Sequence, residues 1–174
     1  MQMRELGLDL VRFFIFTPDF VKRGQVNSQQ LEHYKTVLAH LEAADLQALP
    51  TLFVGHMSGQ NYRVDGWDDE HFFSDPKVLK EQKEFIKAIL DLSAESNHIA
   101  AWCLSNEMPN DFPGKNAGEV TQWFTEISTF IKGVDPRPLV IGDGVWSPEI
   151  TGSGRENNLE PSTHYKLREL APLQ

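Results

Sequence analysis

Ile99-Ala100-Ala101-Trp102-Cys103-Leu104-Ser105-Asn106-Glu107-Met108-Pro109 is an apolar run that closes on an amide, a carboxylate and, two places on, a proline. A long amphipathic helix pattern precedes it. Read as a strand, it delivers one acid to the strand's carboxyl end. A second reading stands beside the first: Asn and Glu both suit a helix start, so the pair could simply cap the next helix. What surrounds the segment decides between them.

The same alternation of apolar strand and amphipathic helix appears four times along the chain. Residues 8–16 (Leu8-Asp9-Leu10-Val11-Arg12-Phe13-Phe14-Ile15-Phe16) are nearly all apolar, as a parallel strand covered on both faces requires. Thr17-Pro18-Asp19 breaks that run. From Ser28 the residues Leu31, Tyr34, Leu38 and Leu41 recur at helical spacing, with Asn27 or Ser28 as N-cap. The second strand is 49–55, leading into His56-Met57-Ser58-Gly59 and a polar loop that carries Tyr62, Trp67, Phe72 and Phe73. Asp75-Pro76 opens the next helix as N-cap and first-turn proline, with Val78, Leu79, Gln82, Phe85, Ile86, Ile89 and Leu90 on one face. The third strand is 99–105. A helix bearing Val120, Trp123, Phe124, Ile127, Phe130 and Ile131 follows and ends at Lys132-Gly133. The fourth strand is 138–142, and Tyr165 to Ala171 reads as one more helix. At the amino terminus, residues before Gly7 read as the last turn of a helix, closed by that glycine.

This alternation predicts a parallel α/β fold with the helices outside. At roughly 40 to 50 residues per unit, an eight-unit (β/α)8 (TIM) barrel would exceed the ~250 residues of a compact example. The 174 residues therefore read as one partial barrel domain over 1–174, about half of the whole. In such barrels chemistry collects at the carboxyl ends of the strands, which is where Glu107 falls.

Composition narrows the function. A net charge of -9 without a basic cluster argues against a nucleic-acid partner. No apolar run reaches the length of a membrane span. The single cysteine, Cys103, excludes an intrachain disulfide and reads as a small buried strand residue. His33, His40, His71 and His98 show no metal-ligand spacing, so neither metal nor cofactor is expected. Nothing in the sequence fixes localisation.

Side chains alternate along a strand, so Glu107 shares its side with Ser105, Cys103 and Ala101, and Arg12 shares one with Leu10, Phe14 and Phe16. An arginine within an apolar strand is costly unless a carboxylate pairs with it. Arg12 is then either half of a structural pair at the mouth of the core or the partner of a catalytic carboxylate.

The motifs resemble one large clan of (β/α)8-barrel glycoside hydrolases, in particular its cellulase- and β-mannanase-like members of family five. Gly7-Leu8-Asp9-Leu10-Val11-Arg12 is similar to the clan's Gly-x-x-x-Val-Arg strand two, His56 to the histidine ending strand three, and Trp102-x-Leu104-x-Asn106-Glu107-x-Pro109 to its strand-four motif. The likeness covers residues 5–174 as strands two to five. It implies a retaining hydrolase of β-linked hexose oligo- or polysaccharides, with Glu107 as acid/base and Arg12, His56 and Asn106 as substrate-binding residues. Trp67 and Trp146 stand where a sugar ring could stack, and packing is the competing role for each. Two departures go with this. The clan's nucleophile follows strand seven, outside this chain, and its strand-six His-x-Tyr is missing: His164-Tyr165 are adjacent, sit at a helix start and read as surface or capping residues. Asp143, within Gly142-Asp143-Gly144, reads as a turn residue. The isolated chain is therefore expected to turn over little or no substrate and to self-associate through exposed barrel edges. An inactive or carbohydrate-binding remnant, or an unrelated α/β binding domain, are the alternatives.

Overall fold

A computed structural model describes residues 2–67, 72–108 and 117–142. A short helix α1 (Gln2–Glu5) turns at Gly7, whose φ of +75° is a left-handed conformation that glycine adopts freely. Strand β1 (Leu10–Phe14) follows, then α2 (Thr17–Phe20) and a small hairpin of β2 (Val21–Lys22) and β3 (Gln25–Val26). Next come α3 (Ser28–Ala44), β4 (Gln47–Val54) and a second hairpin, β5 (His56–Met57) with β6 (Gln60–Asn61). The described chain continues through α4 (Pro76–Ser93), β7 (Trp102–Asn106), α5 (Ala117–Val134) and β8 (Leu139–Val140).

Strands β1, β4, β7 and β8 form one sheet in that order, and every neighbouring pair is parallel. This is the expected arrangement, adjusted at the ends. The first strand contracts to 10–14 because Thr17-Pro18 already opens α2. The second starts earlier, at Gln47, whose N–H donates to Asp9 O. The third begins at Trp102 rather than Ile99, which makes only an isolated bridge to Ala48. The fourth is reduced to two residues. The helix predicted over Tyr165 to Ala171 lies outside the described residues.

Local chemistry sets the helix starts. The Asn27 side chain accepts from Gln29 N at 3.1 Å, and Asp75 accepts from Lys77 N and Val78 N at 2.8 and 3.0 Å, so both helices begin where their caps predict. Each cap is worth about 1 kcal/mol.

The core lies between the sheet and helices α3, α4 and α5. Leu52, Phe85, Ile86, Ile89, Leu104, Trp123, Phe124 and Ile127 are fully buried there. Trp123 is the hub, with its ring centroid 4.9 to 5.7 Å from those of Phe53, Phe72, Phe73 and Phe124. Its indole N–H donates to Gln82 Oε1 at 2.7 Å, and Gln82 Nε2 donates to Phe72 O, so a buried amide is used at both ends.

At the amino ends of the strands a buried polar knot closes the base. Asp135 accepts from the Trp102 indole at 3.0 Å and pairs with Arg137 at 2.7 Å. Arg137 also donates to Ser93 O and Ser96 O, while the Tyr34 hydroxyl meets Ser93 Oγ at 2.8 Å. Burial pushes the Tyr34 phenol up to about 12 despite that hydrogen bond. For Asp135, burial alone would raise the carboxyl, but the Arg137 and Trp102 donors outweigh it and hold it below the ordinary aspartate value.

Candidate active site

The carboxyl ends of β1, β4 and β7 meet at a cluster built around Asn106. Arg12, from the middle of β1, sends Nη2 to Asn106 Oδ1 at 2.9 Å and Nε to Thr51 Oγ1 at 3.0 Å. Nη2 also lies 3.5 Å from Cys103 Sγ, and the guanidinium stands 5.0 Å from the centre of the Phe14 ring. Asn106 Nδ2 in turn donates to His56 O at 2.7 Å, and Gly55 N donates to Asn106 O. The amide is therefore held at both ends, and Glu107 is the next residue, half-buried.

Arg12 meets no carboxylate among the described residues. Its charge is carried by three neutral acceptors and an aromatic face, and the residue is exposed, so the desolvation that would demand an acidic partner is only partly incurred.

Simple alternation breaks at the end of β7. By parity Asn106 would sit with Trp102 and Leu104, yet its amide reaches the same guanidinium that touches Cys103. The chain leaves extended geometry one residue later, where Glu107 has φ +53°. Among the described residues four non-glycines share that left-handed conformation. Arg23 and Ser58 are in two-residue hairpin turns and Asp45 caps α3, whereas Glu107 directly follows a sheet strand. Strain of this kind collects at functional positions, and parity cannot fix where the Glu107 carboxylate stands.

Trp67 is not displayed at the surface. It is 6% exposed, its indole donates to Glu81 Oε2 at 2.7 Å, and its ring packs on Phe72, so of its two readings the structure shows packing. Trp146, Asp143, Pro109 and His164-Tyr165 lie outside the described residues. Cys103 is buried, as a small strand residue should be. Among the described residues no three His, Cys, Asp or Glu side chains are grouped to hold a metal ion.

Several neighbours were not singled out by sequence. Thr51 holds Arg12, Asn61 holds His56 with Oδ1 2.6 Å from Nδ1, and Tyr62 lies against Phe16 with centroids 4.5 Å apart. Gly142 is the least expected. A Cβ there would collide with Ser105 O and sit 2.9 Å from both Arg12 Nη2 and Cys103 Sγ. Its signal was the glycine itself at the end of a strand, where a close backbone approach is a common reason for one.

A parallel sheet with outer helices, and an Asn-Glu pair at the carboxyl end of its third strand, define a segment of a (β/α) barrel. No protein-family model matches the chain. It is 30% identical over 100 residues to the probable mannan endo-1,4-β-mannosidase C of Aspergillus terreus, covering 52% of this chain and 25% of that protein. The chain thus spans about a quarter of the length of the curated relatives it matches. Among solved structures, the exo-β-1,4-mannosidase from Opitutaceae bacterium strain TAV5 superposes with TM-score 0.71 at 26% identity, over 80% of this chain and 26% of that one. The endo-1,4-β-mannanase from Rhizomucor miehei superposes with TM-score 0.70 at 21% identity, over 94% of this chain and 55% of that one. The resemblance to family five glycoside hydrolases holds, and the four-stranded parallel sheet with its outer helices is a partial (β/α) barrel.

Proposed function

We propose that residues 1–174 supply the acid/base side of a retaining site that hydrolyses β-1,4-linked mannose-containing saccharides. The observation that carries this reading is the Asn106 amide, fixed between Arg12 and His56 at the strands' carboxyl ends and followed at once by Glu107. Glu107 donates its proton to the glycosidic oxygen as the C1–O bond breaks, then takes a proton from the water that releases the sugar. Arg12, His56 and Asn106 bind the sugar beside it. A second carboxylate, about 5 to 5.5 Å from Glu107 and contributed from outside these residues, forms the covalent intermediate.

The similarity to a mannan endo-1,4-β-mannosidase and to an exo-β-1,4-mannosidase supports a β-mannosidic substrate over a glucan. The test is hydrolysis of β-1,4-mannan by the protein as its gene encodes it, beside a Glu107→Ala variant. We expect mannan turnover to fall by ~10²–10⁴-fold, while a dinitrophenyl β-mannoside, whose leaving group needs no proton, still releases its phenol in a first burst. Equal losses on both substrates would remove Glu107 from the acid role.

Residues 1–174 alone should show little or no turnover and should self-associate. Leu6, Leu8 and Leu10 are 76, 48 and 47% exposed along or just before β1, the strand at one end of the sheet order. Robust turnover, or a monomer by sedimentation at micromolar concentration, would contradict these two expectations respectively.

A further inference from the structure

The hairpin after β4 faces His56 with Asn61. The two residues are directly opposed in the β5–β6 ladder, so their side chains lie on one face. The turn between them is Ser58-Gly59, with φ of +54° and +80°, the doubly left-handed pair that suits a two-residue hairpin. Sequence thus fixes register: shortening or lengthening the turn by one residue would carry Asn61 away from the ring.

His56 Nδ1 and Asn61 Oδ1 are 2.6 Å apart. A carboxamide oxygen has lone pairs and no hydrogen, so the proton of this contact sits on Nδ1. A neutral imidazole carries one N–H, which leaves Nε2 with a lone pair. Among the described residues Nε2 takes part in no side-chain hydrogen bond. The His56 carbonyl, meanwhile, accepts from Asn106 at 2.7 Å, which ties the backbone of this histidine to the residue before Glu107.

We infer that Asn61 is a positioning residue that locks His56 in the Nδ1–H tautomer, so that Nε2 accepts a hydrogen bond from a sugar hydroxyl. The inference rests on the carbohydrate reading of the site and adds a direction to it. The histidine takes a hydrogen bond from the substrate and cannot compete with Glu107 as a donor to the glycosidic oxygen. Replacing the hydroxyl it reads by fluorine, which cannot donate, should weaken binding as much as replacing it by hydrogen.

The experiment is long-range ¹H–¹⁵N correlation of the His56 ring at pH 8, where an ordinary imidazole is neutral. In the unsubstituted chain Nδ1 should resonate as a protonated, pyrrole-type nitrogen and Nε2 as a pyridine-type one. Asn61 is exposed, so substitution there leaves the core intact. Asn61→Leu, which removes the acceptor, should move the ring toward the Nε2–H form. Asn61→Asp, which restores an acceptor oxygen, should keep Nδ1–H. An Nε2–H ring in the unsubstituted chain, or an unchanged ring in Asn61→Leu, would overturn the assignment. These spectra need no substrate, so they fail or succeed independently of mannan hydrolysis.

Discussion

At the amino ends of the strands, a buried aspartate is gripped by an arginine and an indole. At the carboxyl ends of the same sheet, an arginine meets a threonine, a thiol and an amide and pairs with no carboxylate among the described residues. The base joins opposite charges out of water and uses nearly every donor: Asp135 takes bonds from Trp102 and Arg137, and Arg137 also ties off Ser93 and Ser96. The mouth holds a cation by neutral groups and leaves it exposed. Removing one partner from the base leaves an uncompensated buried group, which costs most. Removing one from the mouth should cost little stability and much function. This is the division of labour that barrels show between their two faces.

The strongest way to test the framework side is Trp123→Ala. It empties the hub between Phe53, Phe72, Phe73 and Phe124 and strands the Gln82 amide, so the loss should be about 3–5 kcal/mol by urea denaturation. A loss under ~1 kcal/mol would mean the cluster is not the shared core of α4, α5 and the sheet.

Next in size is the base itself. Asp135→Asn should cost on the order of 2–3 kcal/mol at neutral pH. Because the folded carboxyl is held below its unfolded value, its contribution is present above pH ~4 and is lost as pH falls through the lower folded value. The variant and the unsubstituted chain should therefore converge in stability in acid; a constant gap down to pH 2 would break the argument. Tyr34 works from the other side. Its raised phenol stabilises fully below pH ~10, and that contribution fades as pH climbs towards about 12. Tyr34→Phe should lack the fade, as read from alkaline unfolding.

Smaller still, and at the mouth, Gly142→Ala should cost about 1–3 kcal/mol because its methyl meets Ser105 backbone and the Arg12 guanidinium. The sharper readout is the Asn106 side-chain amide resonance, which should shift as Arg12 is displaced. A shift-free variant of full stability would show that this close approach is not needed.

Much of the framework was legible in the residues. Apolar runs marked four parallel strands, Asn27 and Asp75 marked helix starts, and Gly7 marked a helix end, because each of these is decided by neighbours within a few positions. What escaped needed partners far along the chain. Nothing near Trp67 announces Glu81, which turns an apparent stacking platform into a packed indole. Nothing near Arg12 says that Thr51 and Asn106 will replace the carboxylate that electrostatics seemed to require. The hairpin after β4 fell in a stretch read as loop and the one after α2 had no reading, since two-residue strands carry too few positions for alternation to show. The resemblance put Arg12, His56 and Asn106 in one site, and the contacts place them together.

Glu107 sits in a backbone conformation that costs an ordinary L-residue roughly 1–2 kcal/mol and costs glycine almost nothing. In a library carrying all amino acids at this one position, heat resistance and sugar turnover should therefore rank the variants in opposite orders. Glycine and asparagine would rise in the first sort, glutamate in the second. A position whose best residue for folding is its worst for chemistry can be found by sorting alone, before any ligand is known.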